Sequence, residues 1–254
     1  MRAVIVIVSL AAFALAFAVA ALGPGVRLGL WDYSAAFGWM RNFLALPVLV
    51  AAGAAGIAFL LALWKARGLA PFALVAALAA GAAGSVPLQM RALAEANPFI
   101  HDITTDFENP PPIVAAAEAP RKNPPEYLAD EIAPRSDPPK TLVEAQKAAF
   151  PDIAPLVVEK DLDAAAQAAR AALDAMGLEI LAEGPAGDTP GSGWRIEAVA
   201  TSFWYGFKDD MVVRLTPLET GDVRVDVRSK SRVGLSDLGA NAKRVRDFLA
   251  RMKA

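Results

Sequence analysis

The chain has 254 residues, 55% of them hydrophobic, and a formal net charge of −2. This balance of charges gives no reason to expect nucleic acid as a partner. The chain has no cysteine and a single histidine, His101, which excludes disulfides, thiol nucleophiles, Cys-ligated metals and a His-rich metal site within one chain. We therefore predict neither a metal nor a cofactor.

Three apolar runs without Asp, Glu, Lys or Arg lie in the first third of the chain, at 3–22, 43–64 and 69–88. Each run is long enough to cross a bilayer core of about 30 Å at about 1.5 Å per helical residue. Residues 1–90 are therefore predicted to form an all-α bundle of three transmembrane helices, with the membrane as a partner. The first run also contains, at 18–20, a small-residue pattern typical of signal-peptide cleavage. Its apolar stretch is longer than a signal-peptide core of about 7–15 residues, which favours a retained helix.

The connections between these runs indicate an orientation. The first connection, 23–42, is predicted to be a loop whose aromatic side chains lie at the membrane surface. Lys65 and Arg67 lie in the short second connection, and the positive-inside rule places that hairpin and the N-terminus in the cytoplasm. The C-terminal domain is then expected on the far side, although arginines of the first loop count against this orientation. The absence of charges within the three runs argues against a transporter.

Residues 91–140 are predicted to form an extended, proline-rich segment. Nine prolines lie between 107 and 140. Because proline fixes φ and lacks an amide donor, no regular helix or central strand is expected there.

Residues 141–254 are predicted to form a soluble α+β domain. A helix is expected to begin at Asp161, and a second helix is expected to close the chain. Short strands are expected at 155–160, before the first helix, and at 178–182, after it. The next three segments alternate apolar and polar residues with a period of two, which predicts antiparallel strands. We expect an antiparallel sheet with two helices packed on one face.

The last two predicted strands are joined by a turn near 220–222. A loop of odd length keeps their valines on one face of the sheet. We place Leu215 opposite Val227 and Arg214 opposite Arg228, with Asp226 near both arginines. The aromatic residues on both sides of the preceding turn are predicted to pack in the core, and their exposure would instead indicate contact with the membrane or a partner. These aromatics are Trp194, Phe203, Trp204, Tyr205 and Phe207.

Several short motifs along the second half are similar to those of one known family. They are IHDITTD at 100–106, FPDI at 150–153, IEA at 196–198, GFKDD at 206–210, VVR at 212–214, VDVRSKSRVG at 225–234 and SDLGANA at 236–242. Over residues 97–254 the chain resembles the family catalogued as domain of unknown function 1499. The resemblance implies a protein of the bacterial envelope, anchored in the inner membrane with a periplasmic domain, or a chloroplast relative. It implies no reaction.

One group of polar residues around a strand end and a helix start is predicted to bind an anion, such as a lipid headgroup. The group consists of Arg228, Ser229, Ser231, Arg232, Ser236, Asp237 and Asn241. Arginines beside the free amides of a helix N-terminus suit phosphate or carboxylate groups. The structural alternative is that Ser236 and Asp237 cap the helix while the arginines pair with nearby aspartates.

Further polar residues are secondary candidates. They are His101, Asp102, Asp106, Asp209, Asp210, Arg214 and Asp226. Asp209 and Asp210 are neighbours on a strand, so they are expected to point to opposite faces and not to share a proton or a metal. His101 and the aspartates after it are expected to dock their segment onto the domain, with metal binding or general-base chemistry as the alternatives.

Together these features predict a non-enzymatic envelope protein whose soluble domain binds a partner protein, a lipid headgroup or another anion. The alternative is a hydrolase or transferase that uses acid–base chemistry from aspartates and His101. That alternative requires a pocket that gathers these residues.

Overall fold

The computed structural model describes residues 1–187 and 192–253. The chain forms two compact units. One contains Met1–Ala92 together with Phe203–Gly206, and the other contains Leu93–Ser202 together with the chain from Phe207 onward. We call them the helical unit and the sheet unit.

The helices of the first third are α1 (Arg2–Arg27), α2 (Tyr33–Trp39), α3 (Ala45–Lys65) and α4 (Ala70–Ala96). A π-helical turn, Met40–Leu44, joins α2 to α3, and a 3-10 turn, Arg67–Leu69, precedes α4. Three helical stretches are long and apolar enough to span a membrane: Arg2–Arg27, Tyr33–Lys65 and Arg67–Ala96. The predicted three long apolar helices are therefore confirmed.

The predicted loop at 23–42 is mostly helical. Only the chain between Arg27 and Tyr33 leaves the helical conformation, because α1 continues to Arg27 and a new helix begins at Tyr33. After this helix begins, the sequence has no proline before Pro47, so the backbone continues into α3 without interruption.

Small side chains hold the helical unit together at one end. Ile5 of α1 packs against Ala58 and Ala62 of α3 and against Ala70 and Ala73 of α4. Alanine lets helix backbones approach closely, which is how apolar helices gain packing contacts in lipid.

In the part of the sheet unit that the structure describes, there are six strands and three helices. The strands are β1 (Asp102–Thr104), β2 (Leu156–Val158), β3 (Glu179–Pro185), β4 (Trp194–Thr201), β5 (Lys208–Pro217) and β6 (Val223–Ser231). The helices are α5 (Leu142–Ala149), α6 (Leu162–Ala175) and α7 (Ala240–Lys253). All strand pairs are antiparallel, in the order β1-β6-β5-β4-β3, and β2 also pairs with β6. The predicted α+β class is confirmed, although β1 and α5 were not predicted.

One face of the sheet carries the core. Inward residues of the central strands, such as Val213, Val225 and Val227, pack with Leu173 of α6 and Phe248 of α7. The opposite face is largely polar and carries no helix of this core, and Val212 on that face packs with Ile113 and Ala116. The period-two pattern therefore predicted correctly which side chains point inward.

The predicted register of β5 and β6 was wrong by two residues. Leu215 lies opposite Val225, and Arg214 lies opposite Asp226. This register pairs opposite charges, whereas the predicted one set two arginines face to face. It also pairs Val223, which is fully buried, with Pro217 at the end of β5.

The predicted aromatic cluster is divided between the two units. Trp194 packs against the core of the sheet unit. Phe203, Trp204 and Tyr205 belong to the helical unit, and Phe203 is 92% exposed. The expectation that Phe203 is a core residue was wrong, since a turn residue has no neighbouring strand to pack against.

Candidate functional site

Strand β6 sends the predicted site residues to two opposite faces of the sheet. Ser229 and Ser231 face the helices, where the Ser229 hydroxyl bonds Asn241 at 2.7 Å and the Asn241 amide donates to Ser231 at 2.9 Å. Arg228 and Arg232 point to the polar face, because successive side chains of a strand alternate. The structure therefore does not bring these residues into one cluster.

The arginines of β6 form a buried ion-pair network on the polar face. Arg228, only 2% exposed, holds Asp102 through Nε–Oδ1 at 3.0 Å and Nη2–Oδ2 at 2.9 Å. Lys230 also contacts Asp102, at 3.1 Å, and burial lowers the pKa of its ammonium group. Arg232 pairs with Asp210 at 2.7 Å. Both arginines that were predicted to bind an anion are thus neutralised by aspartates.

The proline-rich segment lies over this network, and we call residues 107–126 the strap. Arg228 donates to the carbonyl of Pro125 at 2.9 Å, and Lys230 donates to that of Glu126 at 2.7 Å. The Glu197 carboxylate accepts from the amide of Ala115 at 2.8 Å and from its two neighbours. Side chains of the sheet therefore fix the strap by bonding to its backbone. A proline-rich segment cannot satisfy its backbone polar groups by forming a strand ladder of its own.

A second group of predicted residues meets further along the polar face. Arg214 contacts Asp106 at 3.0 Å and Asp226 at 3.1 Å, and Arg224 contacts the same two carboxylates. These four side chains line an open cleft of about 460 Å³. Their charges balance, so the cleft has no excess charge to attract an ion.

The start of α7 is capped as the structural alternative predicted. The Asp237 carboxylate accepts from the amides of Gly239 and Asn241, both at 2.8 Å. The Ser236 hydroxyl accepts from the amide of Leu238 at 3.2 Å. Burial raises the pKa of Asp237 to about 6, although the two amide bonds act in the opposite direction.

The inward serine and asparagine also hold Arg244, a residue that the sequence analysis did not select. Its guanidinium donates to Asp209 at 2.7 Å, to Ser229 at 2.9 Å and to Asn241. Asp209 thus faces the helices and Asp210 faces the strap, as expected for neighbours on one strand. These three partners fix the direction of the Arg244 side chain.

Arg244 lines an open cleft of about 420 Å³ at this end of the sheet unit. Its polar lining consists of Thr201, Lys243, Arg244, Asp247 and Arg251. We call it the basic cleft, because three cations there face one carboxylate. The spacing of 243, 247 and 251 places these residues on one face of α7, which is the signal that the sequence offered. Arg251 is exposed and makes no ion pair with any residue that the structure describes.

His101 docks its segment through its backbone. Its carbonyl accepts from the amide of Ser231 at 2.9 Å and from the side chain of Asn241 at 3.1 Å. Burial lowers the pKa of its imidazole. Within residues 1–187 and 192–253, no group of three or more His, Asp or Glu side chains could hold a metal ion.

These observations define a class: a protein with three membrane-capable helices and one α+β domain whose sheet has a core face and an ion-paired face. The family described as "Protein of unknown function (DUF1499)" matches residues 102–252, more than half of the chain, and the chain belongs to this family. Neither a curated protein nor a solved structure matches the chain.

Proposed function

We propose that the protein is a non-enzymatic binding protein of the bacterial envelope, anchored in the inner membrane with its sheet unit in the periplasm. The ligand is an anionic group, and its contact is the basic cleft. An anionic lipid headgroup is the form of this ligand that membrane anchoring favours, and an acidic surface of a partner protein is the second form. The observation that carries the proposal is the charge of Arg251 in the basic cleft, which stays uncompensated within the described part of the chain, whereas Asp209 pairs with Arg244 and Asp247 pairs with Lys243.

The cations of the basic cleft differ in how firmly they are held. Arg244 is directed by Asp209, Ser229 and Asn241, so its guanidinium needs little ordering to meet a ligand. Lys243, which pairs with Asp247, and Arg251 are both exposed, so their side chains can adapt to the ligand. A planar guanidinium donates two parallel hydrogen bonds to phosphate or carboxylate oxygens, and an ammonium adds a point charge.

In this proposal the predicted residues of the anion site have separate roles. Ser229 and Asn241 position Arg244, and Asp237 caps the helix that carries the basic cleft. Direct contact of an anion with Arg228 and Arg232 stays a prediction, and it requires the strap to release both side chains.

The geometry supports the acid–base alternative less well. Asp102, Asp209 and Asp226 each accept hydrogen bonds from an arginine, which occupies lone pairs of these carboxylates. These aspartates also lie at separate places on the two faces of the sheet. The alternative therefore lacks a described pocket that gathers its acids with His101.

Calorimetric titration of the full-length protein in neutral detergent with glycerol 3-phosphate tests the proposal, because this probe carries the headgroup charge without acyl chains. We expect Lys243→Gln combined with Arg251→Gln to weaken binding about ten-fold or more, equivalent to about 1.4 kcal/mol. The matched control, Lys140→Gln with Lys253→Gln, removes the same charge outside the basic cleft. Equal affinity in the two double variants, or no saturable binding at all, would rule out the basic cleft as the contact.

A further inference from the structure

The helical unit contains an apolar groove between α1 and α4. The two helices meet near their N-terminal ends, where Ile5 packs with Ala70 and Ala73. About two helical turns further along α1, Phe13 still contacts Phe72 of α4, with ring centroids 5.5 Å apart. Beyond this ring pair the space between the helices opens into a groove of about 480 Å³.

The divergence of the two helices has an identifiable cause. Gly84 of α4 approaches α3 so closely that an added Cβ would lie 2.7 Å from Leu49. Glycine therefore lets α4 lean onto α3 at this level and leaves its other side facing the groove. The groove therefore results from the way the helices pack, and not from a local gap between side chains.

The lining of the groove is apolar throughout its length. Phe13 and Phe17 of α1 form one wall, and Ala79, Ala83 and Val86 of α4 form the other. Trp204 closes the end next to Ala20, and its indole donates to the Ala20 carbonyl at 3.1 Å. Tryptophan favours the boundary between hydrocarbon and headgroups, so its position marks the end of the groove that lies nearest the membrane surface.

We propose that this groove binds one acyl chain of a membrane lipid. Both walls come from helices with the length and hydropathy of membrane spans, so the medium that faces the groove is hydrocarbon. A groove lined by apolar side chains gains nothing from water, and an empty one forfeits the dispersion contacts of its walls. An acyl chain supplies those contacts along both walls and finds aromatic rings at its two ends. This inference does not depend on the basic cleft, which concerns a headgroup charge.

Photo-crosslinking tests this site directly. The full-length protein is reconstituted in phosphatidylcholine vesicles that contain a phospholipid with a diazirine near the middle of one acyl chain, and labelled peptides are mapped by mass spectrometry. We expect labelling to concentrate on 13–20 and 79–86. Ala83→Phe fills the groove and should lower labelling of these peptides about ten-fold, which corresponds to about 1.4 kcal/mol of lost binding.

Ala11→Phe is the matched control, because Ala11 is exposed on α1 but does not line the groove. It should leave the labelling pattern unchanged. Ala79→Leu is the milder filling variant, and it replaces Ala83→Phe if the latter does not fold. Labelling spread evenly around the three helices and insensitive to the filling variants would overturn the proposal. Crosslinks from the groove to a second copy of the chain in place of lipid would overturn it as well.

Discussion

Arg228 of β6 and Asp102 of β1 form a bidentate ion pair across 126 residues of sequence, with both side chains at most 2% exposed. Lys230 shares the same carboxylate. The pair joins the edge strand β1 to the centre of the sheet, and Arg228 also bonds the strap. The VDVRSKSRVG motif at 225–234 therefore contains residues that join the strap to the sheet.

The first prediction concerns this pair. Arg228→Met leaves the buried Asp102 carboxylate with Lys230 as its remaining charged partner and should lower the free energy of unfolding by about 3–5 kcal/mol, since removing one partner of a buried ion pair is costly. The measurement is chemical denaturation of the full-length protein in detergent, followed by circular dichroism. Adding Asp102→Leu together with Lys230→Met removes the remaining buried charges and should recover most of the loss.

The control for this prediction is Arg170→Met. Arg170 pairs with Glu183 at the surface, where both side chains are at least one-third exposed. Such a pair contributes at most about 1 kcal/mol. A loss for Arg228→Met no larger than that of the control would contradict a structural role for the buried pair.

The second prediction concerns Asp237, whose pKa is raised to about 6 by burial. Because the folded state binds the proton more tightly than the unfolded state, this carboxyl contributes stability that is fully present below about pH 4 and is lost as pH rises through 6. Asp237→Asn cannot ionise and keeps one acceptor oxygen, while its NH2 group faces the second of the two amides at the start of α7. Between pH 4 and pH 7.5 the variant should gain about 2 kcal/mol of stability relative to the wild type, because only the wild type loses stability as residue 237 ionises.

Thermal unfolding of both proteins at pH 4, 5, 6 and 7.5 measures this difference. Asp161→Asn makes the same change at the exposed N-cap of α6, where asparagine and aspartate cap about equally well. It should shift Tm little at any of these pH values. A pH-independent difference between Asp237→Asn and the wild type would refute the assignment.

The sequence predicted the faces of the strands because alternation is a local property. Val213 and Val227 lie at alternate positions of their strands, among other apolar residues. Any strand pairing that buries this face gives the same core. The register was missed because it depends on the balance of several pairs across the turn. The register of β5 and β6 is decided by the pairing of Arg214 with Asp226 and by the partner of the buried Val223. Neither can be identified before the strands are paired.

The composition of the candidate site was harder to predict for a similar reason. Seven residues close together in sequence were grouped, but alternation on β6 sends Arg228 away from Ser229. The partner of Arg228 lies in a strand of three residues that is too short for a periodic signal. Arg244 was missed because its neighbours on the sheet, Ser229 and Asp209, come from two different strands.

The third prediction concerns the strap. Glu197 is buried and accepts from three consecutive amides of the strap, so Glu197→Ala leaves those amides without a partner. The strap should open more often, and trypsin should cleave after Lys122 at least about ten-fold faster, as a loss of 1–3 kcal/mol implies. The rate is measured on the full-length protein by mass spectrometry of the fragments.

Glu179→Ala is the control for this experiment, because Glu179 is an exposed residue of β3. It should cleave at the wild-type rate. If Glu197→Ala is also cleaved at that rate, the bonds to Glu197 do not keep the strap closed.

The fourth prediction concerns the contact of Gly23 with Trp204 in the helical unit. A Cβ at position 23 would lie 2.6 Å from Cγ of the Trp204 ring, so the indole can lie on α1 only because residue 23 has no side chain. Gly23→Ala should displace the indole from the carbonyl of Ala20 and lower the free energy of unfolding by about 1–3 kcal/mol through overpacking. The measurements are the Tm in detergent and the indole N–H resonance of Trp204, assigned with Trp204→Phe.

Gly53→Ala is the control, since its added Cβ meets nothing within 4 Å and alanine favours a helix interior. An unchanged indole resonance in Gly23→Ala would show that Trp204 does not rest on α1, and the closed end of the lipid groove would then be lost as well.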